Sequence, residues 1–448
     1  MADRINIREE ALDVLMDMEK NEKMSHLAIR EALLRLTFTP KQDRAFFTLL
    51  CEGVTEQRIY LDYVLDAYSR TKMKKCKPLI RNLLRLSAYQ ILFTHVRDAA
   101  ACSEAVNLAK KRGFRGLSGF VNGVLRTLIR EKEHLPLPDR EKDRACYLSV
   151  RYSMPLWLVH LLTEQYGEEK TEQMLSAFLT AGPTTIRVCT DRITPEALSS
   201  MLVESGVQVK DGQYFPYALS ISGYNYLNKI PAFRDGLFLV QDESSMLPVA
   251  VSGIKKGDRV LDLCAAPGGK TFHAAQLTGE SGQVIARDLT EYKTDLLEEN
   301  NDRMQYPQVK IEQWDATNFD SSLEESMDVV LCDLPCSGLG ILRRKNDIKY
   351  HLTEEQLKDL VELQRQILSV AWRYVRPGGF LVFSTCTLNQ KENTDNVRWI
   401  ETNTPLRAVS IEEELPERLR GRTGGQGYLQ LLPGIDACDG FFVAKFVR

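Results

Sequence analysis

The stretch of sequence that decides the fold is VLDLCAAPGGKT, residues 260–271. An apolar run typical of a buried strand enters a loop of small residues, and a helical pattern follows. Small residues here allow a ligand to approach the backbone closely. Further apolar runs at 284–286, 329–331 and 380–383 alternate with helical stretches. This alternation predicts a parallel sheet with crossover helices.

Two known nucleotide-binding loops are alternatives for the loop within 260–271. A phosphate-binding loop needs Gly, four residues and then Gly-Lys-Thr; the end fits, but Cys264 stands at the first position. A dinucleotide loop needs Gly-x-Gly-x-x-Gly, which is absent. An adenosine ligand without the pyrophosphate fits better. Asp288 ends the second strand 20 residues after Gly268, where a carboxylate can accept both ribose hydroxyls.

Asp315 follows the strand-like residues 309–313 and is placed to meet the adenine edge. For one Asp after a strand, the ordinary alternative is a helix cap. Two such residues in order behind the loop favour the ligand interpretation.

Two cysteines, Cys336 and Cys386, stand at the ends of later strands, where open α/β sheets bind ligands. An inert core cysteine is the alternative for each of them. A zinc site is disfavoured, because the pair Cys332 and Cys336 has no matching second pair and no His nearby. The sequence therefore predicts no metal site.

Length and composition narrow the class of protein. The chain has 448 residues, of which 58 are Lys or Arg and 61 are Asp or Glu, a net charge of −3. This length suggests two or three domains. No apolar run reaches the roughly 18 residues of a membrane helix, and the start, MADRIN, has no signal-peptide pattern. Ten cysteines are too sparse for a disulfide scaffold. We therefore expect a reduced, cytoplasmic protein without a membrane partner.

The charge is unevenly distributed along the chain. Residues 70–130 contain 14 basic side chains but only two acids, Asp98 and Glu104. Such a stretch favours phosphate contacts, although a solvated helical face is the simpler alternative. Residues 1–130 have helical periodicity, 133–139 is a proline-containing linker, and 145–235 mixes helices with short strands.

Three segments together resemble the RsmB/NOP family of RNA cytosine-C5 methyltransferases, which use S-adenosylmethionine. They are DLCAAPGGKT at 262–271, DLPCSG at 333–338 and STCT at 384–387. Similar family segments are QDESS at 241–245, RRKNDIK at 343–349 and DGFFVAK at 439–445. Separately, residues 1–130 resemble the helical NusB RNA-binding fold in LRLSAYQIL (84–92), EAVNLAK (104–110) and FVNGVL (120–125).

The resemblance implies three domains. They are an all-α NusB-like RNA-binding domain at 1–135, a small α+β RNA-binding subdomain at 145–235 and a Rossmann-like S-adenosylmethionine-dependent methyltransferase domain at 236–448. A NusB-like domain on this methyltransferase implies 16S rRNA as the substrate, and we expect a monomer.

The resemblance also implies residue roles. Cys386 attacks carbon 6 of cytosine, Cys336 serves the later elimination, Asp333 binds the N3 and amino edge, and Lys270 assists at the pyrimidine. The implied contacts to S-adenosylmethionine come from Cys264, Ala265, Ala266, Pro267, Gly268, Gly269, Lys270, Asp288, Asp315 and Asp333.

Some alternatives stay open. The same chemistry on tRNA or large-subunit rRNA is one, and a non-catalytic RNA-binding assembly factor is another, although such a factor would be expected to lose its nucleophile. The sequence departs from the family pattern at Cys189, Leu334 and Cys438.

Overall fold

The computed structural model describes residues 5–180 and 182–448. The first four residues, on which the signal-peptide expectation partly rests, lie outside these ranges. The chain forms two compact units: Met1–Thr180 with Leu342–His351, and Ala181–Ile341 with Leu352–Arg448. Within the described ranges, no helix is both long and apolar enough to cross a membrane.

The first unit is helical. Its first five helices are α1 (Ile7–Asn21), α2 (Ser25–Arg35), α3 (Lys41–Glu56), α4 (Arg58–Tyr68) and α5 (Pro78–Phe93). The next five are α6 (Asp98–Lys111), α7 (Ser118–Glu131), α8 (Arg144–Arg151), α9 (Leu156–Tyr166) and α10 (Glu168–Phe178). Pro40 and Pro78 stand at the starts of α3 and α5, where a missing N–H costs nothing. Helix α5 is buried along most of its length and forms the centre of the core.

A late segment of the chain, Leu342–His351, belongs to this helical unit. The Asp347 carboxylate accepts the backbone N–H of Ser25 at the start of α2, which has no side-chain cap of its own. At the end of α3, Asn346 Nδ2 and Lys349 Nζ each donate to a backbone carbonyl, of Glu52 and Glu56, at 3.0 Å. An acceptor at a helix start and donors at a helix end satisfy backbone groups that have no partner within the helix.

The second unit contains a small antiparallel sheet with the strand order β2-β3-β1-β4. Its elements are β1 (Thr184–Val188), α11 (Pro195–Glu204), β2 (Gln208–Asp211), β3 (Ala218–Ser222), α12 (Pro231–Arg234) and β4 (Phe238–Val240). Buried side chains from β1, β3 and α11, such as Ile186, Ile221 and Leu202, form its core.

The large sheet of the second unit has the order β10-β12-β9-β8-β5-β6-β7, with β11 paired to β12. Its strands are β5 (Arg259–Asp262), β6 (Gln283–Asp288), β7 (Val309–Gln313), β8 (Met327–Asp333), β9 (Val375–Thr385), β10 (Arg407–Ala408), β11 (Tyr428–Leu431) and β12 (Phe441–Val447). The helices are α13 (Glu243–Ala250), α14 (Gly269–Thr278), α15 (Glu291–Met304), α17 (Glu354–Ala371) and α18 (Thr394–Asn403), while α16 (Ile348–His351) lies in the first unit.

Strands β5 to β9 are parallel, as the apolar runs predict. Strand β12 is antiparallel to β9, so the sheet is mixed at this edge, which the sequence pattern does not predict. Because β5 pairs with β6 on one side and β8 on the other, the strand order reverses beside β5. Ligands bind at the carboxyl ends of strands at such a switch point.

Candidate active site

The loop after β5 is held in a shape that requires glycine. Gly268 precedes α14 with a φ of 107°, and a Cβ there would lie 2.2 Å from the Phe272 ring. A side chain at Gly268 is therefore excluded both by conformation and by space. The loop presents bare backbone at the switch point.

A cavity of about 460 Å³ opens beside this loop. Its volume is within the range of small-molecule sites, and its lining includes Gln241, Ser245 and Asp262. Of the predicted cofactor-binding residues, the lining contains Cys264, Ala265, Ala266, Pro267, Gly269, Lys270 and Asp333. The lining does not include the other three predicted cofactor-binding residues, which are Gly268, Asp288 and Asp315. Bare backbone and carboxylates around a cavity of this size suit an adenosyl amino acid.

Asp288 ends β6 and is almost fully buried. Its carboxylate accepts the backbone N–H groups of Ala266 and Leu289 at 3.0 and 2.8 Å. Lys293 Nζ also donates to it at 2.8 Å. The carboxylate thus ties the glycine loop to the end of the neighbouring strand.

Asp315 follows β7, as predicted, but its recorded bonds are local. Its Oδ1 accepts the backbone N–H and the hydroxyl of Thr317 at 2.9 and 2.7 Å. This is the geometry of an Asx turn rather than of the helix cap that was the ordinary alternative, because no helix begins at Asp315. A role at the adenine edge stays a prediction.

Asp333 and Lys270 form an ion pair at the carboxyl end of β8. Lys270 Nζ lies 2.6 Å from Asp333 Oδ2, and the lysine side chain is only 9% exposed. Ser384 Oγ donates to the other Asp333 oxygen at 2.7 Å. Lys270 Nζ also lies 3.0 Å from Ser245 Oγ. These contacts fix the orientation of both charged groups.

The two predicted cysteines lie together, with Cys336 Sγ and Cys386 Sγ 3.3 Å apart. Their loops also share a backbone bond, because Gly340 N–H donates to the Cys386 carbonyl at 2.9 Å. The hydrogen bond to Cys386 and burial raise the pKa of the Cys336 thiol well above its usual value. Cys336 is therefore protonated at neutral pH.

Burial dominates the electrostatics at the end of β5. It raises the pKa of Asp262 to about 7, and one Asp262 oxygen accepts the Thr271 hydroxyl at 2.7 Å. The other Asp262 oxygen has no hydrogen-bond partner. Burial also raises the pKa of the Cys264 and Cys332 thiols. Both thiols are poor nucleophiles at neutral pH.

Sequence reasoning did not identify three polar residues of this region. Ser245 and Ser384 contact the Lys270–Asp333 pair, and buried Glu392 bonds to Ser337 beside Cys336. Ser245 and Ser384 lie inside the segments at 241–245 and 384–387, which offered a signal. Glu392 lies outside every segment singled out.

The residues that depart from the family pattern are all buried. Cys189, Leu334 and Cys438 are each at most 3% exposed. Leu334 N–H donates to the Ser384 carbonyl at 3.0 Å, which keeps β8 and β9 in register beside the site. These side chains contribute to packing rather than facing a ligand.

Comparison with known proteins gives three domain matches. The family described as 16S rRNA methyltransferase RsmB/F matches residues 250–447. The NusB family matches residues 5–130, and the ferredoxin-like domain of RsmF/B-like methyltransferases matches residues 154–225. The boundaries predicted at 135, 145 and 235 stay predictions.

Relatives are similar along the whole chain. The probable ribosomal RNA small subunit methyltransferase B of Bacillus subtilis is 34% identical, with 99% of this chain and 98% of that protein covered. The ribosomal RNA small subunit methyltransferase B of Vibrio cholerae is 31% identical, with 90% and 89% covered.

Solved structures agree with the fold. The crystal structure of PH0851 has a TM-score of 0.82 at 25% identity and covers 99% of both chains. A methyltransferase homolog protein from Pyrococcus horikoshii has a TM-score of 0.58 at 26% identity, with 68% of this chain and 99% of that chain covered.

The Rossmann-like sheet and the glycine loop after β5 define an S-adenosylmethionine-dependent methyltransferase. The similarity of the whole chain to its relatives then identifies the family. The chain belongs to the RsmB/F family of 16S rRNA methyltransferases, which confirms the family and the fold predicted from the sequence.

Replacing Asp288 with Ala should weaken S-adenosylmethionine binding by ~1–3 kcal/mol, the scale of a lost hydrogen bond to a charged group. The substitution removes the predicted ribose acceptor and frees the Ala266 N–H that anchors the loop. Calorimetry measures the affinity, and Asp295→Ala, an exposed position on α15, is the control. Unchanged affinity in Asp288→Ala would contradict the assignment. Preferential binding of ATP would instead support a phosphate-binding loop.

Proposed function

We propose that the protein transfers a methyl group from S-adenosylmethionine to carbon 5 of a cytosine in 16S rRNA through a covalent cysteine adduct. The observation that carries this proposal is the pair of thiols 3.3 Å apart at the ends of β8 and β9. An ion pair between the buried Lys270 and the partly exposed Asp333 stands at the end of β8. The family membership supports the rRNA substrate.

The chemistry explains why a nucleophile is needed. Carbon 5 of cytosine is too weakly nucleophilic to take a methyl group unaided. The Cys386 thiol gives up its proton, which ends on N3 of the ring, its sulfur adds to carbon 6, and the ring electrons move toward carbon 5. Bound S-adenosylmethionine supplies the methyl group that carbon 5 accepts. Covalent catalysis of this kind replaces one difficult step by two easier ones.

The remaining step removes the proton from carbon 5 and expels the Cys386 sulfur. We assign this elimination to Cys336. Its protonated thiol, within hydrogen-bond distance of the Cys386 sulfur, supports the assignment. The Cys336 thiol passes its proton to the departing Cys386 sulfur, and the Cys336 thiolate that results accepts the proton of carbon 5. N3 of the ring then releases its proton to water.

Asp333 recognises the cytosine in this proposal. Its carboxylate accepts the amino group and the protonated N3 of the ring, and protonation at N3 makes carbon 6 a better acceptor for sulfur. Lys270 and Ser384 hold the two carboxylate oxygens in a fixed plane. A fixed acceptor loses less energy to reorganisation in the transition state.

The cofactor-binding residues in this proposal are the loop Cys264, Ala265, Ala266, Pro267, Gly268, Gly269 and Lys270, with Asp288, Asp315 and Asp333. The backbone of the loop bounds the cavity, and Asp288 fixes that backbone through the Ala266 N–H. This arrangement supports binding of the amino-acid part beside the loop and of the ribose beside Asp288.

The helical unit carries the positive charge that a ribosomal RNA requires. Lys74, Lys75 and Lys77 are exposed before α5, and Lys110 and Arg126 are exposed on α6 and α7. Exposed cations contact phosphates without reading sequence. The helical unit in this proposal supplies affinity for RNA rather than the choice of base.

Deleting the gene should remove one 5-methylcytosine from 16S rRNA. Bisulfite sequencing of rRNA from the deletion strain should find a single converted position that is protected in the parent strain. Reintroducing the wild-type gene should restore protection at that position. Loss of a mark in tRNA or large-subunit rRNA instead would contradict the 16S assignment, and loss of none would contradict cytosine-C5 methylation.

A further inference from the structure

Glu392 is fully buried beside the two cysteine loops. One of its oxygens accepts the Ser337 hydroxyl at 2.6 Å and Asn389 Nδ2 at 3.1 Å. The other accepts the Ser337 backbone N–H at 2.9 Å and Gln364 Nε2 at 3.0 Å. A carboxylate with four neutral donors around it fixes the backbone at Ser337 more firmly than one bond would.

The hydrogen bonds around Glu392 run in one direction. Ser337 has a single hydroxyl proton, which Glu392 accepts. The contact of 2.6 Å between Ser337 Oγ and Thr387 Oγ1 is therefore donated by Thr387. Thr387 in turn accepts the backbone N–H of Asn389 at 3.3 Å. Bonds in such a chain polarise and strengthen one another.

This chain of bonds joins the two cysteine loops. Ser337 directly follows Cys336, and Thr387 directly follows Cys386. The Ser337–Thr387 bond therefore links the loops one residue beyond each thiol, and the two sulfurs lie 3.3 Å apart. We call Ser337, Thr387 and Glu392 the clamp.

We propose that Glu392 is a positioning residue that, through the clamp, holds the Cys336 thiol against the Cys386 sulfur. Its catalytic meaning rests on the proposed function, in which one thiol attacks and the other serves elimination. The structural part of the proposal does not depend on that function, because the separation of the two thiols can be measured without RNA or cofactor.

Disulfide trapping measures that separation. With oxidised glutathione as the oxidant, Cys336 and Cys386 together lose two protons and two electrons, and the added disulfide is reduced to two thiols. The wild type should form the Cys336–Cys386 disulfide, detected by mass spectrometry of the joined peptides. Glu392→Gln places an amide NH₂ group against donors that the carboxylate accepts from. This variant should form the Cys336–Cys386 disulfide about tenfold more slowly. Glu362→Gln, an exposed change of the same charge on α17, should react at the wild-type rate.

Steady-state kinetics supply the second measurement. Glu392→Gln should lower kcat on the order of 100-fold, because misplaced reacting groups lose the benefit of orientation. The KM for S-adenosylmethionine should be unchanged. Ser337→Ala and Thr387→Val keep the charge, and the double variant should be no slower than the slower single variant, since either change breaks the same chain.

The outcomes separate two kinds of failure. Wild-type trapping rate and wild-type kcat in Glu392→Gln would overturn the clamp. If Glu392→Gln does not fold, fully additive losses in the Ser337 and Thr387 variants would overturn it instead. Absence of cytosine methylation by the wild type would overturn the proposed function, while slower trapping in the variants would still support the clamp.

Discussion

Cys336→Ala should accumulate as a protein–RNA adduct that survives denaturing electrophoresis, whereas Cys386→Ala should form no adduct and transfer no methyl group. In the proposed mechanism, the first variant keeps the attacking sulfur but lacks the thiol that assists its departure. The second variant lacks the attacking sulfur itself. Incubation with radiolabelled 16S rRNA followed by denaturing gel electrophoresis measures both results.

A buried cysteine of β8 provides the control for this experiment. Cys332 is the second-last residue of β8 and is fully buried. Cys332→Ala should lose roughly 1–3 kcal/mol of stability as a packing change and give no adduct. Adduct formation by Cys386→Ala would mean that the two roles are exchanged. Absence of an adduct from both site variants, with retained methylation, would show that both cysteines are structural.

Asp333→Asn should lower the rate of methyl transfer by roughly 10²–10³-fold at saturating cofactor, the scale of removing one preorganised polar contact in a transition state. The amide turns an NH₂ group toward either Lys270 or Ser384, both of which donate to the carboxylate. In the proposed mechanism, the amide also cannot accept both cytosine donors as the carboxylate would. Single-turnover kinetics with 16S rRNA measure the rate.

Asp328→Asn is the matched control for Asp333. Asp328 lies near the opposite end of β8, where it accepts Arg259 N–H at 2.8 Å and Arg376 Nε at 2.5 Å. The Asp328→Asn variant should change stability slightly and leave the methyl-transfer rate near that of the wild type. Equal rates for Asp333→Asn and the wild type would remove Asp333 from the reaction.

The periodic elements could be predicted from the sequence. The helical periodicity of residues 1–130 corresponds to α1 to α7, and the apolar runs at 284–286, 329–331 and 380–383 lie inside β6, β8 and β9. These patterns are local, because burial of one helix face or of a whole strand leaves its period in the sequence. The carboxyl-end positions of Asp288 and Asp333 follow from the same strands.

The contacts between distant residues could not be predicted in this way. Antiparallel pairing of β12 with β9 has no period that distinguishes it from parallel pairing. Glu392 reaches Ser337 across 55 positions, and a buried carboxylate in a polar stretch resembles an exposed one in sequence. Only the folded chain brings such donors and acceptors together.

The position of Leu342–His351 in the helical unit has a consequence for synthesis of the protein on the ribosome. Translation adds roughly 5–20 residues per second, so this segment emerges on the order of 10 s after Thr180. Until then, the start of α2 and the end of α3 lack Asp347 and Lys349. The helical unit, which is made first, is therefore completed by a segment that is made much later. A nascent chain stalled before residue 342 carries an unfinished helical unit.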